Sequence, residues 1–190
     1  MCLERNHMKY TKTIVIAAFA AVSCSAFGGG FFIESEDNNS MATANDIGMF
    51  DIPGGSIAIE GLISEGDVDW FTFSLNNTAS LSFFAAFGTG DGIMQIVSAG
   101  GDVIAFDDDS SVGFMPAIQI DDLSAGSYFI AFSGFGDVDS SSVDSDELAD
   151  GLGHSESIAY KLNVGFSVVP APSSLALLGM GGMVATRRRR

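Results

Sequence analysis

Hydrophobic and polar residues alternate with a period of two through most of the middle of the chain. Ile57, Ile59 and Gly61 alternate with Ala58, Glu60 and Leu62. In Trp70-Phe71-Thr72-Phe73-Ser74-Leu75, residues Phe71, Phe73 and Leu75 fall on one face. Tyr128, Ile130 and Phe132 alternate with Phe129 and Ala131, and the series Ile158, Tyr160, Leu162, Val164, Phe166 closes the pattern. A strand turns successive side chains to opposite sides, so each run predicts a strand buried on one face. Shorter apolar runs at Leu81–Phe87, Ile93–Val97, Val103–Phe106 and Ala117–Ile120 are bounded by turn residues such as Gly90-Asp91-Gly92 and Gly100-Gly101-Asp102. Together they predict an all-β body: a single antiparallel β-sandwich, jelly-roll-like, of about eight strands. No helix is expected within it.

Two segments outside the body follow other rules. Near the N-terminus, Lys9 and Lys12 precede an uninterrupted apolar run, Ile14–Val22, and then the small residues Ser23, Cys24, Ser25 and Ala26. This order predicts a secretory signal helix over residues 1–26, with Met8 as an alternative start and cleavage after Ala26. A second reading takes Ala21-Val22-Ser23-Cys24 as a lipoprotein site. Cys2 and Cys24 are the only cysteines, so cleavage after Ala26 leaves a chain that relies on no disulfide.

At the other end, Val169-Pro170-Ala171-Pro172 is stiff and extended, because each proline fixes its own φ and restricts its predecessor. Ser173–Thr186 then carries no charge, and Arg187, Arg188, Arg189 and Arg190 follow. These 14 uncharged residues would make a helix of roughly 21 Å, short of a bilayer core of about 30 Å. The basic cluster marks the side held in the cytoplasm. This order resembles the PEP-CTERM sorting signal, and it departs from that pattern at Ala171, where the family name implies Glu. The resemblance implies an exosortase-type processing enzyme as partner and a transient stay in the inner membrane through a short transmembrane helix. It also implies an exported protein of the cell envelope or extracellular space.

Charge sharpens the picture. From Phe27 to Pro172 there are 23 Asp and Glu residues and one basic residue, Lys161, a formal charge of 1 − 23 = −22. Repulsion excludes nucleic acid as a partner. The phenylalanines exclude a disordered acidic tail. The domains expected are a signal peptide at 1–26, an acidic lead-in at 27–55, a sandwich at 56–167 and a sorting signal at 168–190.

Within the body, several motifs resemble the bacterial pre-peptidase C-terminal domain. They are Glu34-Ser35-Glu36-Asp37-Asn38-Asn39, Gly66-Asp67-Val68-Asp69-Trp70-Phe71, Ala125-Gly126-Ser127-Tyr128 and Tyr160-Lys161-Leu162-Asn163-Val164. The resemblance implies a β-sandwich and, from the collagenase members, calcium held by Glu34, Glu36, Asn38, Asp67 and Asp69. Asn39 stands where those members have an aspartate. Carboxylate and amide oxygens suit this hard cation, and in an extended segment Glu34, Glu36 and Asn38 share one face. A solvated linker is the competing reading.

Other constellations carry less. Asp107-Asp108-Asp109 reads as an exposed hairpin turn. The run from Asp137 begins like an EF-hand loop but has Ser142 and Leu148 where glycine and a bidentate carboxylate belong. His154 is the only histidine after the signal and reads as a loop residue, with no nucleophile elbow in the sequence. Trp70 and Tyr128, both able to stack on sugar, read as core or half-core. The acidic segment Gly134–Ser157 is long enough to be functional or mobile.

The sequence therefore predicts an exported, non-catalytic cell-surface or extracellular-matrix protein acting as a structural or adhesive binding module, with calcium as its candidate cofactor. Exopolysaccharide or a surface protein is its expected partner. A carbohydrate-binding module of the exopolysaccharide layer is the alternative. A secreted hydrolase with an unrecognised site is the third reading.

Overall fold

A computed structural model describes residues 29–51, 53–138 and 147–168. The signal segment and the sorting residues Val169, Pro170, Ala171, Pro172 and Arg187–Arg190 lie outside them. Ten strands form: β1 (Gly30–Ile33), β2 (Asn45–Phe50), β3 (Gly54–Ile63), β4 (Val68–Leu75), β5 (Ala79–Phe87), β6 (Gly92–Ser98), β7 (Val103–Asp107), β8 (Ala117–Leu123), β9 (Gly126–Gly134) and β10 (Ile158–Val168). They make two five-stranded sheets, β1-β3-β10-β5-β8 and β2-β4-β9-β6-β7, packed as a sandwich. Among the described residues there is no helix.

Eight of these strands are the ones the alternation predicts. Their order, β3-β10-β5-β8 against β4-β9-β6-β7, is the double Greek key of a jelly roll. The other two come from the acidic segment before residue 55, so the count is ten rather than about eight. The sandwich is also not wholly antiparallel: β1 runs parallel to β3 and β2 runs parallel to β4. Both are edge strands at one side of their sheets. The segment between them, Glu34–Ala44, crosses from one sheet to the other.

The pleat puts alternate residues into the space between the sheets. Phe71, Phe73 and Leu75 of β4 enter the main core, as do Tyr128, Ile130 and Phe132 of β9. Opposite them, Ile158, Tyr160, Leu162 and Val164 of β10 do the same. Each large apolar side chain buried here contributes about 1.5–3 kcal/mol. Aromatic stacking closes one pole, where Phe50 lies 4.4 Å from Phe166 and 5.2 Å from Phe73 between ring centroids. The edge strand β1 is pinned by Phe32, whose ring meets Phe71 edge-on at 6.2 Å.

The residues of opposite parity form a second cluster on the outer face of the second sheet. Val68, Trp70, Ile93, Val97 and Ala131 are buried there beneath Val138 and Ala149 of the long acidic segment. That segment is therefore clamped where it is described. Gln95, fully buried on β6, donates to the Glu147 carbonyl at 2.7 Å and accepts from the Ala149 amide at 3.0 Å. Asp137 accepts the amides of Asp150 and Gly151, so the residue that opens the EF-hand-like run acts as a backbone cap. Trp70 is buried and Tyr128 nearly so, and neither presents a face for a sugar. The β7–β8 connection joins different sheets, so Asp107–Asp109 is not a hairpin turn. Asp107 instead ties the connection down by accepting from the Ser110 and Ala117 amides at 3.0 and 2.7 Å.

Gln95→Leu keeps the volume but strands the Glu147 carbonyl and the Ala149 amide. We expect a stability loss of about 1–3 kcal/mol, with faster amide exchange at Ala149 than at the core strands, read by hydrogen exchange.

Candidate functional site

The core rows end in polar residues at the pole where β10 begins. On β4 the inward row Leu75, Phe73, Phe71 continues to Asp69. The row containing Phe32 continues to Glu34, just past β1, whose amide extends the ladder to the Glu60 carbonyl at 3.0 Å. On β10 the row contributes Tyr160. On β3 the inward positions are Ile57, Ile59, Gly61 and Ile63, and the gap at Gly61 is what lets the others meet. A Cβ on Gly61 would lie 2.7 Å from the Glu34 carboxylate and closer still to the Tyr160 hydroxyl.

The Tyr160 hydroxyl donates to Asp69 Oδ2 at 2.7 Å and lies 3.4 Å from Glu34 Oε2. One phenol thus joins the first sheet, the second sheet and the lead-in. Asp69 is fully buried, and its Oδ1 has no partner. Burial, then the hydrogen-bonded and negative Glu34 carboxyl, push its pKa up to about 10 against the smaller lowering effect of Tyr160. Burial also pushes the Tyr160 phenol well above its ordinary value, reinforced by Asp69 and Glu34.

Asn38 completes the buried part. Asp37 takes a left-handed conformation, φ 73°, which aspartate tolerates better than most residues. The turn swings Asn38 inward against β4, where its carbonyl accepts the Trp70 amide at 3.0 Å. The Asn38 side chain is fully buried and its Oδ1 has no partner. Simple alternation along an extended lead-in therefore does not place this residue, since the chain bends between Glu36 and Asn38. Ser35 is clamped to the start of β2 by the Asn45 side chain, at 2.7 and 3.1 Å.

Of the remaining two expected ligands, Glu36 lies at the rim and Asp67 is buried. Glu36 is exposed, yet partial burial and the charges of Glu34, Asp67 and Asp37 raise its pKa. Asp67 sits in the β3–β4 turn, and its carboxylate accepts the Ser64 amide at 3.4 Å. Its carbonyl holds His154 Nε2 at 2.8 Å, while His154 Nδ1 accepts the Glu156 amide at 3.2 Å. Both ring nitrogens are thereby engaged inside the fold. Of the five expected ligands, the structure joins Glu34 and Asp69 through Tyr160, buries Asn38 against Trp70 and Asp67 in the turn before β4, and leaves Glu36 exposed. Among the described residues, no three His, Cys, Asp or Glu side chains converge as a ready-formed metal cage.

The partnerless buried oxygens of Asn38 and Asp69 are the kind of group a hard cation satisfies. A cation would have to displace the proton that Asp69 holds. Tyr160 and Gly61 were not in the expected set. Their signal was the glycine that interrupts the inward isoleucines Ile57, Ile59 and Ile63.

Residues 168–190 match the PEP-CTERM protein-sorting motif. No curated protein matches the sequence. Among solved structures, the body is similar to the pre-peptidase C-terminal domain of a collagenase from Bacillus anthracis, at 17% identity and TM-score 0.40, covering 64% of this chain and 93% of that one. It is also similar to Aeromonas hydrophila PliG, a periplasmic inhibitor of g-type lysozyme, at 13% identity and TM-score 0.41, covering 74% and 98%.

The raised carboxyl of Asp69 fixes the sign of a pH dependence. The native state keeps a proton that the unfolded chain releases above its ordinary carboxylate pKa. Without metal, stability is therefore fully present below about pH 4 and declines as pH rises toward 10, by up to about 1.4 kcal/mol per pH unit from this group. Asp69→Asn should flatten that decline, read as melting temperature between pH 5 and 9.

Proposed function

We propose that this chain, which carries a PEP-CTERM protein-sorting motif at residues 168–190, is a non-catalytic structural or adhesive module of the cell surface or extracellular matrix. The motif marks an exported protein sorted through the membrane to the cell envelope and processed by an exosortase-type enzyme. One observation carries the reading further: the motif begins at Val168, the last residue of β10. The sorting signal thus follows directly from a strand in the middle of the first sheet, with no spacer.

That strand has 11 residues, about 36 Å at 3.3 Å each. Its far end is the acidic pole, with Asp67, Asp91, Asp107–Asp109, Asp137, Asp150 and Glu156 in its loops. The tethered end carries far fewer carboxylates, among them Asp51 and Asp102. Anionic lipid headgroups repel the acidic pole and favour a body standing away from the membrane. A module held this way presents its loops outward.

At that outward pole Glu34, Glu36, Asn38, Asp67 and Asp69 form the calcium site of this reading. Calcium bound there would neutralise the carboxylates and tie the lead-in to β4. The two unpartnered oxygens, Asn38 Oδ1 and Asp69 Oδ1, support it. The engagement of both nitrogens of His154 weighs against a hydrolase built on that residue.

Deleting residues 169–190 should abolish envelope retention of a tagged chain, scored by fractionation; an unchanged distribution would remove the sorting claim. Calcium should raise the melting temperature. The stabilisation is about 2.7 kcal/mol at free calcium one hundred times the dissociation constant, and Glu36→Ala should reduce it. No shift at millimolar calcium would dismiss the metal site and leave the sorting claim intact.

A further inference from the structure

The outer faces of the two sheets differ. The second sheet is covered by its own chain, through Val138, Ala149 and their neighbours. Among the described residues nothing covers the first, and much of its outer face is apolar. Phe31 and Ile33 on β1 are 58% and 67% exposed, Phe87 on β5 is 63% exposed, and Leu62 and Phe84 stand between and beside them. Phe31, Ile33, Leu62 and Phe84 lie on the side opposite the core, since Phe32, Ile59 and Phe83 of the same strands point inward. Phe87 shares the parity of Phe83, but a bulge pairs it with the outward Lys161 and turns it to the same side.

Away from the β8 edge, which carries the exposed Asp121 and Asp122, the face is also neutral. Strands β1, β3, β5 and β10 contain one acidic residue, Glu60, and one basic residue, Lys161. These two pair across the β3–β10 register with Nζ to Oε1 at 2.8 Å, both partly exposed. The Lys161 ammonium also stands 5.7 Å from the centre of the Phe31 ring. Beside the pair runs an open groove of about 540 Å³, lined by Glu60, Gly61, Phe87, Ala159, Tyr160 and Lys161.

We propose that this face is a self-association surface, on which a second copy of the same chain docks about a two-fold axis through the Glu60–Lys161 region. Three features point to a copy of this chain. Two bodies each carrying −22 between residues 27 and 172 repel one another at any acidic contact, and these four strands contribute no net charge to that repulsion. The charge pair is self-complementary: a two-fold turns Lys161 of each copy toward Glu60 of the other. The groove gives an exposed ring such as Phe87 an apolar seat. Contiguous exposed apolar surface of this kind marks association sites. The calcium site lies between the sheets, and this proposal does not depend on it.

The test uses full-length chains carrying two different tags, co-expressed in a host that exports and processes them and captured through one tag. Wild-type chains should recover both tags. Phe87→Ser should reduce recovery of the second tag at least tenfold. Lys161→Glu gives the face a charge of −2 and Glu60→Lys gives it +2, so neither variant should recover its own kind. The two variants expressed together should recover each other. Both lose the Glu60–Lys161 bridge within the chain, so a folding defect would not restore the mixed pair. Wild-type chains that stay single, whether free or carrying polysaccharide or lipid, would overturn the proposal. Failure of the mixed pair to form would do the same.

Discussion

The hydroxyl of Tyr160 is the point on which the acidic pole depends. It touches the first sheet, the second sheet and the lead-in together through hydrogen bonds. It can do so because Gly61 vacates the space. An ionised, unpaired Asp69 at this depth would carry a desolvation penalty of several kcal/mol. Burial therefore favours the protonated form of Asp69. The interior of the sandwich is apolar except at this end.

The charge distribution follows from the same geometry. Loops at one pole hold many of the aspartates, while β1, β3, β5 and β10 of the first sheet hold none and its edge strand β8 holds two. Lys161, the only base between residues 27 and 172, is spent on pairing Glu60 and capping Phe31. A body built this way has one acidic end, an opposite end that runs directly into the sorting motif and one largely apolar side.

The long acidic segment reads from its serines and aspartates as a functional or mobile loop. Gln95, Val138, Ala149 and the Asp137 cap fasten both of its described ends to the outer face of the second sheet. Burial of Trp70 depends on that cover. A few apolar residues supply the attachment.

What the chain determines by itself is local. Period-two alternation reports the pleat, so eight strands and their inward faces were legible, including Phe71, Phe73, Ile130 and Leu162. The five oxygen donors of the candidate site and the sorting tail were legible as types in an order. Tertiary structure alone decided the rest. β1 and β2 are short, lack clean alternation and are strands only because an edge of each sheet accepts them. β10 lies between β3 and β5 through pairings about one hundred residues apart in the chain, which no local pattern encodes. Asn38 is buried because Asp37 turns the backbone, and Tyr160 joins Asp69 because two sheets close at the pole where Gly61 leaves room.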